Sequence, residues 1–170
     1  MSDMAKQWAD FKELIDKCRK KAEDFGTVTD FFIHGSRATD KFHTDSDLDL
    51  CFVVNGGDVE VETFKNTIKE LFECKEVGVY YLSGERWSFW IYKGREVGMH
   101  VYTKKDVNQK VDELYRSFEI FEKNSPWVQH TIRESCPIFE SGDGLKEWKK
   151  KVESYPCNFF RKYRETYLDY

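Results

Sequence analysis

At 170 residues, with 40% hydrophobic and 16% aromatic residues, the chain is long enough and apolar enough to bury a core, which excludes a disordered protein. Its formal net charge of −4 gives no general attraction to nucleic acid or to an anionic membrane. No run approaches the roughly 18 apolar residues of a membrane span, and the charged N-terminal stretch lacks the apolar centre of a targeting sequence. Because the five cysteines are scattered without a C-x-x-C pair, we expect free thiols and a cytoplasmic protein without a membrane partner.

Helical and strand patterns alternate at the start of the chain. Apolar residues recur at helical spacing over residues 8–22, and a run rich in aromatic and β-branched residues follows over 28–34. A Gly-Ser turn at 35–36 ends that run, and the polar stretch 37–46 predicts a short helix and a loop. In residues 47–54 every second residue, from Leu48 to Val54, is apolar, which predicts a strand with one apolar face and an acidic start on the other face.

The middle of the chain reads as a helix followed by three strands. An apolar stripe predicts a helix over residues 59–74, and strand-like runs follow at 77–82, 87–92 and 97–103. Lys93-Gly94 fits a hairpin turn between the last two runs. The order of these elements predicts an α/β (α+β) fold in which helices cover a mixed sheet.

Beyond residue 103 the patterns are mainly helical. We expect a helical extension at residues 105–170, attached to a core at residues 1–104. Its predicted parts are a stripe over 107–121 that ends at Asn124-Ser125-Pro126, a short helix at 127–134, a short extended piece at 137–139, and helices at 145–152 and 158–170.

Two aspartates lie at the start of the strand predicted at residues 47–54. Residues i and i+2 of a strand point the same way, with α-carbons roughly 6.6 Å apart, so Asp47 and Asp49 present two carboxylates from one face. Such hard oxygen ligands favour Mg²⁺ or Mn²⁺, especially when substrate phosphates complete the coordination shell. The alternative is an Asp-rich turn at residues 44–47 whose side chains cap local N–H groups.

The Gly35-Ser36 turn is a candidate phosphate site. Glycine permits close approach of the backbone, serine offers a hydroxyl, and the start of the predicted helix exposes N–H groups to an anion. Arg37 could pair with phosphate oxygens. A plain turn is the alternative, since a Gly-Ser pair alone carries little information.

Together these features resemble the signature of the nucleotidyltransferase superfamily, typified by DNA polymerase β, and its minimal and antibiotic-type branches in particular. The match is an apolar strand, Gly35-Ser36, ten residues, then Asp47-Leu48-Asp49-Leu50 and a second apolar strand. The resemblance implies a polymerase β-like fold with a C-terminal helical extension. It also implies transfer of a nucleoside monophosphate, AMP from ATP, to an acceptor hydroxyl, with Mg²⁺ or Mn²⁺ at Asp47 and Asp49 and the triphosphate at Gly35, Ser36 and Arg37.

The chain departs from this family at the third carboxylate, which the resemblance places at or about His100. His100 could replace it as a base on the acceptor hydroxyl or as a metal ligand. Glu96, on the same strand face, could reach the site from the hairpin. Otherwise the third acid is missing, and the protein is a non-catalytic nucleotide-binding or regulatory module. A Mg²⁺-dependent phosphohydrolase is a more distant alternative.

The sequence says least about the acceptor. Without a basic groove, a small molecule or a protein is favoured over nucleic acid. Lys41 and His43 lie in a loop that could contact triphosphate or simply be solvated. The aromatic residues at the C-terminal end predict a docking stripe, and with it a possible homodimer; they are Phe159, Phe160, Tyr163, Tyr167 and Tyr170.

Overall fold

The computed structural model describes residues 8–39, 43–72, 78–82 and 85–154. These residues form six strands and five α-helices, with single 3-10 turns at Ala9–Phe11 and Ser36–Ala38 and a π-helix at Val128–Arg133. In chain order the elements are α1 (Lys12–Phe25), β1 (Val28–His34), β2 (Leu48–Val54), α2 (Asp58–Lys69), β3 (Gly78–Leu82), β4 (Glu85–Tyr92), β5 (Arg95–Thr103), α3 (Lys104–Glu113), α4 (Phe118–Trp127), β6 (Cys136–Glu140) and α5 (Gly144–Glu153).

The strands form one mixed sheet in the order β3-β4-β5-β2-β1-β6. The pair β2 and β5 is parallel, and the other neighbouring pairs are antiparallel. The prediction of a mixed sheet covered by helices is therefore confirmed. Because β2 lies between β1 and β5, the side chains of its first residues lie near the middle of the sheet.

Helices cover the sheet on both faces, and each face has its own apolar cluster. On one face Leu48, Leu50 and Phe52 pack with residues of α1 and α2, and all three are fully buried. On the other face Cys51 and Val53 pack with residues of α3, α4 and α5. The apolar face predicted for this strand is confirmed, but the opposite face is buried as well over most of its length.

The C-terminal part differs from the prediction in two ways. The stripe at 107–121 is interrupted at residues 114–117, and α4 then continues through Asn124-Ser125-Pro126, where the sequence predicted a break. The amide of Ile120 bonds to the hydroxyl of Ser117, which supports the start of α4. In addition, the extended piece at 137–139 belongs to β6, which pairs with β1, so the extension adds a strand to the core sheet.

A buried aspartate anchors α5 to the sheet. Asp30 in β1 accepts a hydrogen bond from the first-turn amide of Leu145, at 3.0 Å, and another from the hydroxyl of Thr29, at 2.7 Å. Burial raises the pKa of Asp30. The predicted last helix at 158–170 and its aromatic stripe lie outside the described residues. Among the described helices, none is long and apolar enough to cross a membrane.

Candidate active site

Asp47 and Asp49 lie where the central strand begins. In the strand register Asp49 stands opposite His34 of β1 and opposite Gly98 of β5. Asp47 comes one residue before β2, so it belongs to the loop that leads into the sheet. The two leucines of the Asp-Leu-Asp-Leu motif point to the opposite face and are fully buried. The structure thus brings the two predicted carboxylates together at one end of β2.

The carboxylate of Asp49 is held between the backbones of two glycines. A β-carbon built on Gly35 would lie 2.3 Å from Oδ2 of Asp49, and one built on Gly98 would lie 2.4 Å from Oδ1. Gly35 also has a φ of +70°, a region that side chains strongly disfavour. Both positions therefore need glycine for the carboxylate to fit. Sequence reasoning assigned no role to Gly98, although a glycine inside a strand is a recognised signal of close approach by another group.

The environment of Asp49 opposes its ionisation. Burial, and secondly the charge of Asp47, raise the pKa of Asp49 from 3.8 to about 7. A divalent cation beside the pair would offset both effects, since it favours the charged form of each carboxylate. The donor set and the electrostatics therefore fit the hard cation that the resemblance implies.

A cleft of about 460 Å³ opens beside Asp47, on the side of β5. Its lining comes from the loop before β2 and from the hairpin before β5: Asp45, Ser46, Asp47, Gly94, Arg95 and Glu96. Leu48 pairs with Val97, so Glu96 lies level with Asp47 on the neighbouring strand. Within the described residues no three His, Cys, Asp or Glu side chains converge tightly enough to hold a metal. Glu96 is exposed in this cleft, so its side chain is not fixed by the core.

His100 lies deeper along the same face of β5. It stands opposite Cys51, two residues beyond Gly98, and is only 4% exposed. Its Nδ1 is 3.1 Å from the hydroxyl of Tyr102, which in turn accepts a hydrogen bond of 2.9 Å from the indole of Trp127. Burial lowers the pKa of His100 to about 3, and the charge of Lys65 adds to the effect. The imidazole is therefore neutral near pH 7 and is held from the side of α4.

Arg37 does not have the position that a phosphate ligand needs. Its side chain is fully buried, and Nε donates to the carbonyls of Ser46 and Asp47 at 2.8 and 3.0 Å. The two terminal nitrogens bond to the carboxylate of Asp10 at 3.0 and 3.3 Å. The guanidinium is turned into the protein and bonded there, which counts against the predicted direct pairing with phosphate. No sequence signal joins residues 27 positions apart.

The turn after β1 is shorter than predicted. Ser36–Ala38 form a single 3-10 turn, closed by a hydrogen bond from the amide of Ala38 to the carbonyl of Gly35 at 3.1 Å. Three residues give no extended helix dipole, so an anion here would rely on single N–H and hydroxyl groups. Of the two loop residues noted for triphosphate contact, His43 is exposed, and Lys41 lies outside the described residues.

Three features together are those of a polymerase β-like nucleotidyltransferase domain: the mixed sheet, the aspartate pair, and the glycine cradle, as we call the enclosure of the Asp49 carboxylate by Gly35 and Gly98. The model of the nucleotidyltransferase domain family matches residues 12–126, more than half of the chain. The chain belongs to this family.

Among solved structures, the chain is similar to a nucleotidyltransferase-like protein from Exiguobacterium sibiricum 255-15. The TM-score is 0.50 at 15% sequence identity, with 88% of this chain and 40% of that chain covered. The likeness concerns the fold, and the chain spans less than half the length of that protein. A search among curated proteins finds no match.

Proposed function

We propose that this chain is a metal-dependent nucleotidyltransferase that moves a nucleoside monophosphate, AMP from ATP, to a hydroxyl group of a small molecule or a protein. The observation that carries the proposal is the pair Asp47 and Asp49 at the start of the central strand, with the carboxylate of Asp49 enclosed by Gly35 and Gly98. Such close enclosure of a carboxylate is difficult to explain as a solvated strand end.

On the donor side, Asp47 and Asp49 would hold Mg²⁺ or Mn²⁺. When bound, the cation supplies positive charge that offsets the charge on the triphosphate and on the leaving pyrophosphate. Gly35 and Ser36 would contact the triphosphate through their N–H groups and the serine hydroxyl, because their turn follows β1 immediately beside Asp49. Arg37 supports this side only indirectly, through the backbone of Asp47.

On the acceptor side, the hydroxyl oxygen attacks the α-phosphorus of ATP, the bond from this phosphorus to the bridging oxygen breaks, and pyrophosphate leaves. The hydroxyl proton needs an acceptor. We assign it to Glu96, which is exposed in the cleft and level with Asp47. His100 was the other candidate from the sequence, but its burial and its bond with Tyr102 favour a supporting role as a neutral group.

The acceptor itself belongs to the cleft beside β5. Asp45, Asp47 and Glu96 line it together with a single arginine, Arg95. Carboxylates repel the phosphate backbone of nucleic acid, so a small molecule or a protein side chain is the better acceptor.

Cys18, Cys51 and Cys136 are free buried thiols, which supports a cytoplasmic location as part of the same proposal.

The test is label transfer from ATP labelled on the α-phosphate. The chain is incubated with Mg²⁺ or Mn²⁺ and a panel of hydroxyl-bearing acceptors, including proteins, and both labelled product and pyrophosphate are measured. Asp47→Asn and Asp49→Asn should each abolish transfer. Asp16→Asn is the control, because Asp16 is exposed on α1 and pairs with Lys12 of the same helix. Equal transfer by the wild type and the Asp49→Asn variant would refute the assignment of the site.

The alternative is a nucleotide-binding module without catalysis. It is favoured by one observation, that no three potential ligands converge in the part of the chain that the structure describes. Such a module would bind ATP in the presence of Mg²⁺ or Mn²⁺ but release no pyrophosphate with any acceptor. Release of inorganic phosphate from ATP would indicate a phosphohydrolase instead.

A further inference from the structure

Two arginines hold the loop that carries Asp47, and they reach it from the two strands that flank β2. Arg37, after β1, donates from Nε to the carbonyls of Ser46 and Asp47 and from Nη2 to the carbonyl of Thr44, at 3.2 Å. Arg95, the first residue of β5, donates from Nη2 to the same carbonyl of Thr44 and, at 3.5 Å, to that of Ser46. The two guanidinium groups thus bond to three carbonyls in four consecutive residues.

Asp10 joins the two arginines from the N-terminal side. Its carboxylate makes a bidentate pair with Arg37 and also accepts a bond from Nη1 of Arg95. Both guanidinium groups lie over the ring of Phe11, at 4.8 Å for Arg37 and 4.7 Å for Arg95. The three charged residues therefore form one connected group that is packed against an aromatic ring. We call this group, Asp10 with Arg37 and Arg95, the loop clamp.

The clamp acts on a residue that the sheet itself does not fix. The register of β2 with both of its neighbours starts no earlier than Leu48, so Asp47 lies outside the ladder of strand hydrogen bonds. The carbonyl of Asp47 bonds instead to Arg37. Since the direction of a side chain follows from its backbone, the clamp sets where the carboxylate of Asp47 points. Asp49, by contrast, is fixed by the ladder and by the two glycines.

The members of the clamp differ in exposure. The side chain of Arg37 is 0% exposed, whereas Arg95 is 32% and Asp10 is 38% exposed. Arg95 also lines the cleft. Exposed single ion pairs contribute little to stability. The bidentate pair of Asp10 with the buried Arg37 is different, because it restricts the geometry of a carboxylate that also bonds to Arg95. Asp10 is bonded to the buried guanidinium of Arg37, so Arg95 is the member that can be replaced with the least disturbance of the core.

We infer that Asp10, Arg37 and Arg95 are positioning residues that hold Asp47 in register with Asp49 for cation binding and transfer. The role in transfer rests on the function proposed above, whereas the ordering of the loop does not. Positioning groups behind a metal ligand commonly affect metal affinity by about 10–100-fold, although they never touch the metal.

The test compares Arg95→Met, Arg95→Lys and Asp10→Asn with Arg19→Met, a control on an exposed arginine of α1 that pairs with Glu23. Three properties are measured: hydrogen exchange of the amides at 44–48, Mn²⁺ affinity by electron paramagnetic resonance without nucleotide, and kcat and KM for label transfer. For Arg95→Met we expect exchange and the Kd for Mn²⁺ to rise by about tenfold, with kcat falling more than KM rises. Arg95→Lys should restore part of each, and Arg19→Met should leave all three unchanged.

The clamp is refuted if Arg95→Met, with a melting temperature close to that of the wild type, keeps both the slow exchange at 44–48 and the wild-type Mn²⁺ affinity. Should Asp10→Asn fail to fold, Arg95→Met still decides the question, since its side chain is partly exposed. A wild-type chain that neither binds Mn²⁺ nor transfers label would refute the proposed function and the role of the clamp in it. In that case the exchange measurement alone would still show whether the clamp orders the loop.

Discussion

The fold opposes the ionisation of Asp49, and the stability of the folded chain therefore depends on pH. Burial and the charge of Asp47 raise the pKa of Asp49 in the folded chain to about 7, against 3.8 in the unfolded chain. Between about pH 4 and pH 7 the folded state therefore binds more protons than the unfolded state. Without a cation, this residue makes the free energy of unfolding fall as the pH rises through that window.

The Asp49→Asn variant should lose this pH dependence. Because a pKa unit corresponds to about 1.4 kcal/mol, we expect the variant to exceed the wild type in stability at pH 8 by on the order of 2–4 kcal/mol, and to match it near pH 4. Urea unfolding in a chelator-containing buffer measures the difference. Mg²⁺ or Mn²⁺ at pH 8 should stabilise the wild type but not the variant. The same pH slope in both proteins would contradict the assigned environment of Asp49.

Gly98 should be as sensitive to substitution as the aspartates. A β-carbon in Gly98→Ala would lie 2.4 Å from Oδ1 of Asp49, so the carboxylate or the strand has to move. Overpacking of this kind costs about 1–3 kcal/mol, and we expect label transfer and Mn²⁺ binding to fall with it. Gly142→Ala is the matched control, since nothing lies within 4 Å of the place that its added methyl group would take. Equal Mn²⁺ affinity in the two variants would count against the glycine cradle.

At the scale of elements, the local sequence pattern was sufficient to predict β1 and β2, which lie between apolar neighbouring strands. The run at 28–34 was predicted with the bounds of β1, whereas the run predicted at 47–54 begins one residue before β2, at Asp47. Both runs end where the β-rich composition gives way to glycine-containing turns. The site aspartates followed from their place in that pattern. Long-range partners could not be read in this way. The inward turn of Arg37 depends on Asp10 and Phe11, and the depth of His100 depends on the register between β2 and β5.

The attachment of α5 to β1 provides a prediction at this scale. In Asp30→Ala the first-turn amide of Leu145 loses its buried acceptor, which costs about 1–3 kcal/mol. Asp30→Asn keeps an acceptor oxygen and should cost less. Thermal unfolding gives the loss in stability, and hydrogen exchange should show faster exchange in α5 and β6 than in α2. A uniform increase over all helices would mean that Asp30 acts on the whole core instead of on this attachment.

At the scale of the whole molecule, the C-terminal elements are part of the core. The sheet takes β6 from beyond residue 104 and pairs it with β1. The cluster that covers Phe32, Cys51 and Val53 comes mainly from α3, α4, α5 and the π-helix. His100 lies on this same face of the sheet. The helices that complete the core therefore also cover the strand residues beside the candidate site. The predicted boundary at residue 104 coincides with the end of β5 but not with the end of the sheet.

A fragment of residues 1–104 is therefore expected not to fold cooperatively. It would leave β1 as an open edge strand and expose Phe32, Cys51 and Val53, each of which is fully buried in the whole chain. Burying such a side chain contributes about 1.5–3 kcal/mol, which is a large part of the net stability of a domain. Circular dichroism melting and amide spectra of the fragment, with the full chain as the control, measure the outcome. A sharp melting transition with dispersed amide signals would show that residues 1–104 form a core that is independent of the C-terminal elements.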